Sequence, residues 1–176
     1  LGLQAEAISY MPAAGFGVAA TTFIGHSIGS KDREQGKLYI NQLIKWTGIL
    51  TIFTGGLLMF FPRQVMRLLT NDSETIKIGA MYLFVMGVVQ IPQNINGVFN
   101  GALRGAGYSK IPMIVSMLGL WLIRVPFSLL VAFVFKTSIT FIWIGLGLDL
   151  VFRFITNLII FKKKDIYETK SLIGVD

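Results

Sequence analysis

Five long apolar runs divide this sequence, and they constrain the fold more than any other feature. They cover residues 4–28, 43–61, 76–103, 111–135 and 139–161, to within a few positions. About 20 helical residues cross a hydrocarbon layer about 30 Å thick. Lipid offers no hydrogen bonds, so each backbone N–H and C=O must be satisfied inside its own helix. The runs therefore read as five transmembrane helices of an all-α, polytopic membrane bundle. Composition agrees: 53% of residues are hydrophobic and only 14% charged, a balance foreign to soluble domains. The first run is richest in Ala, Gly, Ser and Thr, residues that let helices approach closely, and neighbours are expected to enclose it.

The formal net charge of +7 would suit nucleic acid if it lay along one helix face. Instead the basic residues sit in short clusters between the apolar runs. With no cysteine and a single histidine, His26, there is neither a thiolate metal site nor the material of a nucleophile and base. Loops 31–37 and 104–110 and tail 162–170 hold three, two and four Lys or Arg, against four on the other side: Arg63, Arg67, Lys77 and Lys136. Positive loops stay in the cytoplasm. The expected orientation in the plasma membrane thus has the N-terminus outside and residues 162–176 as a cytoplasmic basic tail. The chain opens "LGLQAEAISY", with no initiator Met and no signal peptide, and is expected to be a fragment lacking its upstream half.

Between the third and fourth runs lies "GALRGAGYSKIP", residues 101–112. A phosphate-cradling loop needs Gly, four residues, then Gly-Lys-Ser/Thr, which this stretch lacks. Gly105 and Gly107 suit the end of one helix and Pro112 the first turn of the next. Arg104 and Lys110 would face the inner headgroups.

That stretch resembles the signature that follows the tenth helix of multidrug and toxic compound extrusion (MATE) transporters, Gly101, Arg104, Gly105, Gly107 and Pro112 included. "MPAAGFGVAATTFIGHSIGSKD", residues 11–32, resembles the family's eighth helix and the loop after it. "LWLIRVPFSLL" and the fifth run, with Trp143, Asp149 and Arg153, are similar to its eleventh and twelfth helices. Tyr108 and Ser109 depart from the acidic and hydroxyl residues of many members. The resemblance implies helices eight to twelve of the C-terminal lobe of a twelve-helix, two-lobed transporter. It implies an antiporter, driven by Na⁺ or H⁺ and with no other cofactor, that exports amphiphilic, often cationic, organic compounds by alternating access, with the missing N-terminal lobe as partner. Pro12 and Gly15, expected to interrupt the first helix, resemble a flexing point of the family; close packing by Gly15, Gly17, Gly25 and Gly29 is the alternative. Rival readings are a lipid or glycolipid flippase of similar architecture, which basic residues in the cavity would favour, and a non-transporting membrane scaffold subunit.

Several residues invite a functional reading on chemistry alone. At about 100° per residue, Gln93, Asn96 and Asn100 fall on one side of the third helix, with Gln90 and Asn94 on the adjoining edge. This amide face either lines a cavity or bonds neighbouring helices. Pro92 cannot donate to the carbonyl of Val88 and is expected to kink the helix. Trp121, too deep for an interfacial belt, could face a cavity. Asp149 and Arg153 stand four residues apart on one helical face, and folding the fourth and fifth runs about residues 136–138 brings Arg124 level with them. A buried Arg124, Asp149 and Arg153 cluster is expected, as a structural latch or an ion site. Glu6 is expected near the outer surface, exposed at the interface.

Overall fold

The computed structural model describes residues 1–135, 139–163 and 166–168. All regular elements among them are helical: α1 (Gly2–Gly29), α2 (Arg33–Phe60), a short α3 (Pro62–Arg67), α4 (Ser73–Gly105), α5 (Lys110–Leu118), α6 (Val125–Leu129) and α7 (Ile139–Lys163). Two π-helical segments, Gly119–Arg124 and Leu130–Phe135, flank α6, and a 3₁₀ turn, Ile166–Glu168, follows α7. Lys136, the 136–138 turn, Lys164 and residues 169–176 of the expected tail lie outside the described residues.

Among the described residues, four helical stretches are long and apolar enough to cross a membrane: Arg33–Phe60, Ser73–Gly105, Lys110–Leu129 and Phe141–Lys163. α1 is not enclosed. Ala5, Ser9, Ala13, Ala20 and Ile24 form a buried stripe, while Leu3, Met11 and Val18 stand exposed on the other side.

Boundaries follow local chemistry. Asp32 accepts from the Gln35 N–H at 2.9 Å and starts α2 ten residues before its apolar run. Asp72 caps α4 through the Thr75 N–H at 2.8 Å. At 33 residues, α4 is about 50 Å long, more than a hydrocarbon layer needs. Its C-terminus obeys the expected turn: Gly107 has φ 83, the Tyr108 N–H donates to the Leu103 carbonyl at 2.8 Å, and α5 begins two residues before Pro112. A left-handed residue at this place is where glycine carries no Cβ penalty.

Neither helix-internal proline breaks its helix, which corrects the expectation of an interruption at Pro12 and Gly15. α1 runs unbroken through Pro12 and α4 through Pro92. The irregularity appears instead in the fourth run, which is not one continuous α-helix. Pro126 cannot donate to the Leu122 carbonyl, and just before it the Val125 N–H bonds five residues back to Leu120, at the wider π spacing.

α4 is central, packed on α1, α2 and α7. The approach to α1 is close. A Cβ on Gly101 would collide with the Gly17 carbonyl, one on Gly105 with the Thr21 carbonyl, and one on Gly17 would lie 2.9 Å from the Gly97 carbonyl. Gly97, Gly101 and Gly105 recur every four residues and so form one stripe. Thr21 Oγ1 donates across this seam to the Gly101 carbonyl at 3.1 Å. Two apolar clusters result. One gathers Leu58, Met66, Tyr82, Leu83 and Met86, with Trp143 packed on it. The other gathers Ile24, Ile40, Val98, Leu103 and Ile166.

Candidate functional site

Between the two apolar clusters runs a band of buried polar side chains, assembled by α1, α2 and α4. Glu6 is only 4% exposed. Its Oε2 accepts from the Tyr82 hydroxyl and its Oε1 from Gln90 Nε2 at 3.1 Å. Gln90 Oε1 in turn lies 3.1 Å from Ser9 Oγ and 3.2 Å from Asn94 Nδ2. The Ser9 hydroxyl also reaches Thr54 Oγ1 at 2.8 Å, and Asn94 Nδ2 reaches Thr51 Oγ1 at 3.0 Å. This corrects the expected position of Glu6: it is buried, not interfacial. Since Glu6 and Ser9 are three residues apart, both face α4, and α4 answers with Tyr82 and Gln90.

A second polar contact joins α4 to α7. Asn157 Nδ2 donates to Asn96 Oδ1 at 2.7 Å and to Asn100 Oδ1 at 2.8 Å. The amide face of α4 is therefore spent largely on neighbouring helices. Gln90, Asn94 and Asn96 are buried and do not line an open passage, because each amide finds its partner across an interhelix contact. Gln93 is half-buried, and its Oε1 has no hydrogen-bond partner among the described residues. In lipid such bonds average about 0.6 kcal/mol each, up to about 1.7. The set contributes a few kcal/mol, which matters where hydrophobic burial does not drive helices together.

Asp149 is 2% exposed and is gripped by Arg153, Nε to Oδ1 and Nη2 to Oδ2, both at 2.7 Å. This two-point geometry matches the planar fork of Arg to a carboxylate. Gly119 lets the pair fit, since a Cβ there would collide with Asp149 Oδ1 and sit 2.8 Å from Arg153 Nε. Arg124 does not belong to a buried cluster. It is exposed and lines a cavity of about 500 Å³ with Thr75, Tyr82, Trp143 and Leu146. Starting the π segment at Gly119 alters the turn count on which the depth argument relied. Trp121 is 62% exposed and is not part of that cavity wall. Gly15 has nothing within 4 Å of where a Cβ would be, so close packing falls to Gly17 and not to Gly15.

Sequence reasoning overlooked Ser9, Thr51, Thr54, Tyr82, Gly119 and Asn157. One signal was available for Asn157. It stands eight residues after Asp149 and four after Arg153, on the same face of α7.

The MatE family model matches residues 1–130. A protein described as probable multidrug resistance protein NorM from Thermotoga maritima is 30% identical over 92% of this chain and 35% of its own length. One of the same description from Rhodopseudomonas palustris is 32% identical over 86% of the chain and 33% of its own length. Human multidrug and toxin extrusion protein 1 is 26% identical over 83% of the chain and 26% of its own length. The crystal structure of the eukaryotic MATE transporter AtDTX14 shares the fold, with a TM-score of 0.86 and 20% identity over 96% of the chain and 38% of that structure. The chain spans about a third of the length of the curated bacterial relatives it matches.

Proposed function

The chain belongs to the MatE family, and we propose that it forms much of the C-terminal lobe of a two-lobed exporter of amphiphilic, often cationic, organic compounds. A gradient of H⁺ or Na⁺ drives the export, and the second lobe comes from the rest of the transporter. The observation that carries this reading is the polar band at mid-lobe. Ionisable groups inside a membrane are costly and usually serve transport or relay, and Glu6 sits in the middle of one.

The interhelix bonds suggest how such a lobe moves. α1 is locked to α4 by glycine packing and by Glu6 and Ser9, α2 to α4 by Thr51 and to α1 by Thr54, and α7 to α4 by Asn157. A body so cross-linked rocks as one unit, which is how paired lobes alternate access around a midplane site. In this arrangement the ends bearing Lys31, Arg33, Arg104 and Lys110 face the cytoplasm. Half-buried Gln93 and Asn100 are the amides left nearest to a passage between lobes.

The test is gradient-driven efflux of a fluorescent organic cation from vesicles carrying the full-length transporter. Replacing Gln93 and Asn100 with Ala is expected to change which compounds leave. An unaltered profile across chemically unlike compounds would count against substrate contact by these amides.

One observation favours a second reading. Arg124 places a positive charge on the wall of an otherwise largely apolar cavity, a chemistry suited to an anionic lipid headgroup. Headgroup-labelled anionic lipid crossing the bilayer faster with the transporter than without, and slower in Arg124→Gln, would support a flippase. Organic-cation efflux unaffected by Arg124→Gln would support the exporter.

A further inference from the structure

We infer that Glu6 is a proton-exchange site, with the Tyr82 hydroxyl as the route between its carboxylate and the cavity that Arg124 and Trp143 line. This rests on the transporter reading above, because a carboxyl that gains and loses charge inside a lobe serves a gradient-coupled machine.

Three structural facts carry it. The carboxylate is buried, yet among the described residues no Lys, Arg or His lies within ion-pair distance of it. Its two oxygens meet only neutral donors, Tyr82 Oη and Gln90 Nε2. Asp149, the other buried acid, already has its cation in Arg153, so a proton there would have to compete with two charged N–H groups. Glu6 has no such competitor.

The partners also suit both protonation states. With Glu6 ionised, Tyr82 donates to Oε2. A proton arriving at Tyr82 Oη from the cavity releases the phenolic proton to Oε2. The result is a neutral carboxylic acid beside an unchanged tyrosine, and the acid now donates to Oη while the phenolic O–H turns toward the cavity. Gln90 Nε2 keeps its bond to Oε1 throughout. A hydroxyl can donate or accept, so the switch needs only a rotation at Tyr82.

Surrounding groups leave the charge to Glu6 itself. From α2 come the uncharged Thr51 and Thr54, reached through Ser9 and Gln90. α3 packs nearby through Val65 and Met66, with Arg63 and Arg67 exposed. α4 supplies Tyr82 and Gln90, and α7 supplies Trp143, edge-on to Tyr82 with ring centroids 5.4 Å apart. The charged group across the cavity is Arg124, exposed on the π segment. A sodium ion would need several free oxygen acceptors, whereas Glu6 already accepts from Tyr82 and Gln90, Gln90 Oε1 from Ser9 and Asn94, and Thr54 from Ser9.

The experiment is infrared difference spectroscopy of the full-length transporter in lipid nanodiscs during a pH jump, with isotope-labelled glutamate to identify the carboxyl band. The expected result is a protonated-carboxyl band that forms on acidification and is lost in Glu6→Gln. In Tyr82→Phe the band persists, but its appearance slows at least tenfold. A spectrum with no Glu6 contribution would overturn the inference, as would an unchanged rate in Tyr82→Phe or a Glu6 signal driven by Na⁺ at constant pH. If Glu6→Gln fails to insert, Glu6→Asp, which keeps a carboxyl at the position but removes it from the labelled glutamate band, keeps the test informative. A Glu6 titration in a protein that moves no compound would sink the transport reading alone, and compound export without that titration would sink the proton site alone.

Discussion

Gly101 and Gly15 lie in neighbouring helices, yet a methyl group added to each should have opposite effects. At Gly101 it meets the Gly17 carbonyl, with Ala20 Cβ 3.1 Å away, and backbone cannot yield as a flexible side chain would. Gly101→Ala is expected to lower stability by about 1–3 kcal/mol, the usual range for overpacking, read as a fall in thermal unfolding temperature in detergent. Gly15→Ala meets open space and gains the helical preference of Ala, about 0.5–1 kcal/mol. Equal effects at the two sites would refute the packing assigned here. Asp149 makes a second residue-scale case. Asp149→Ala strands the Arg153 guanidinium and should cost about 3–5 kcal/mol, whereas Asp149→Leu with Arg153→Met should recover most of it. Recovery is measured as monodisperse protein after extraction; a double variant no better than the single would contradict this. The pair was legible in the sequence from its four-residue spacing. Arg124 was not, because depth had been counted along a regular α-helix that here gives way to π turns. Gly101 was legible only as part of a turn signature, since its contacts lie on Gly17 and Thr21 about 80 positions earlier.

Among the elements, α4 organises the rest. Its amide face was evident from helical periodicity, but periodicity states which residues share a face and not what that face meets. The partners are Glu6, Ser9, Thr51 and Asn157, distant in sequence and ordinary in composition. Asn157→Leu removes one donor from both Asn96 and Asn100. The expected loss is about 1–3 kcal/mol for each acceptor left buried, with faster amide exchange in both α4 and α7. Faster exchange in α7 alone would mean that the contact does not couple them. The start of α4 should also respond to pH. The Thr75 hydroxyl, and then the Thr75 N–H, hold the Asp72 carboxyl below the usual carboxylate range. A lowered pKa means the cap is fully engaged above the ordinary carboxylate value, about 4, and is lost as pH falls through the folded value. Protection of the first turn, residues 73–77, should therefore decline in acid relative to intrinsic exchange rates, and Asp72→Asn should remove that dependence. The two prolines show the limit of a local rule. Pro12 is expected to interrupt α1 and Pro92 to kink α4; both helices run on past them without a break, as membrane helices often tolerate.

For the molecule as a whole, the helical class was plain from five apolar runs, because lipid leaves few alternatives for a backbone of that length. The weakest run to the eye, 4–28, became α1, whose small residues serve a glycine seam. How the helices assemble was less accessible, since hydropathy constrains depth and not neighbours. The result is two apolar clusters separated by polar side chains that tie four helix pairs, α1–α4, α1–α2, α2–α4 and α4–α7, with a buried carboxylate that has no cation within ion-pair distance among the described residues. Many large apolar side chains remain exposed, Phe53, Phe60, Leu68 and Phe133 among them, a surface fitting for lipid and for a second lobe. The most direct measurement is accumulation of a fluorescent organic cation in everted vesicles bearing the full-length transporter, with proton and sodium gradients imposed separately, in wild type and Glu6→Gln. The account predicts accumulation driven by the proton gradient in wild type and its loss in Glu6→Gln despite normal protein levels. Proton-driven accumulation that survives the substitution, or none under either gradient, would contradict it.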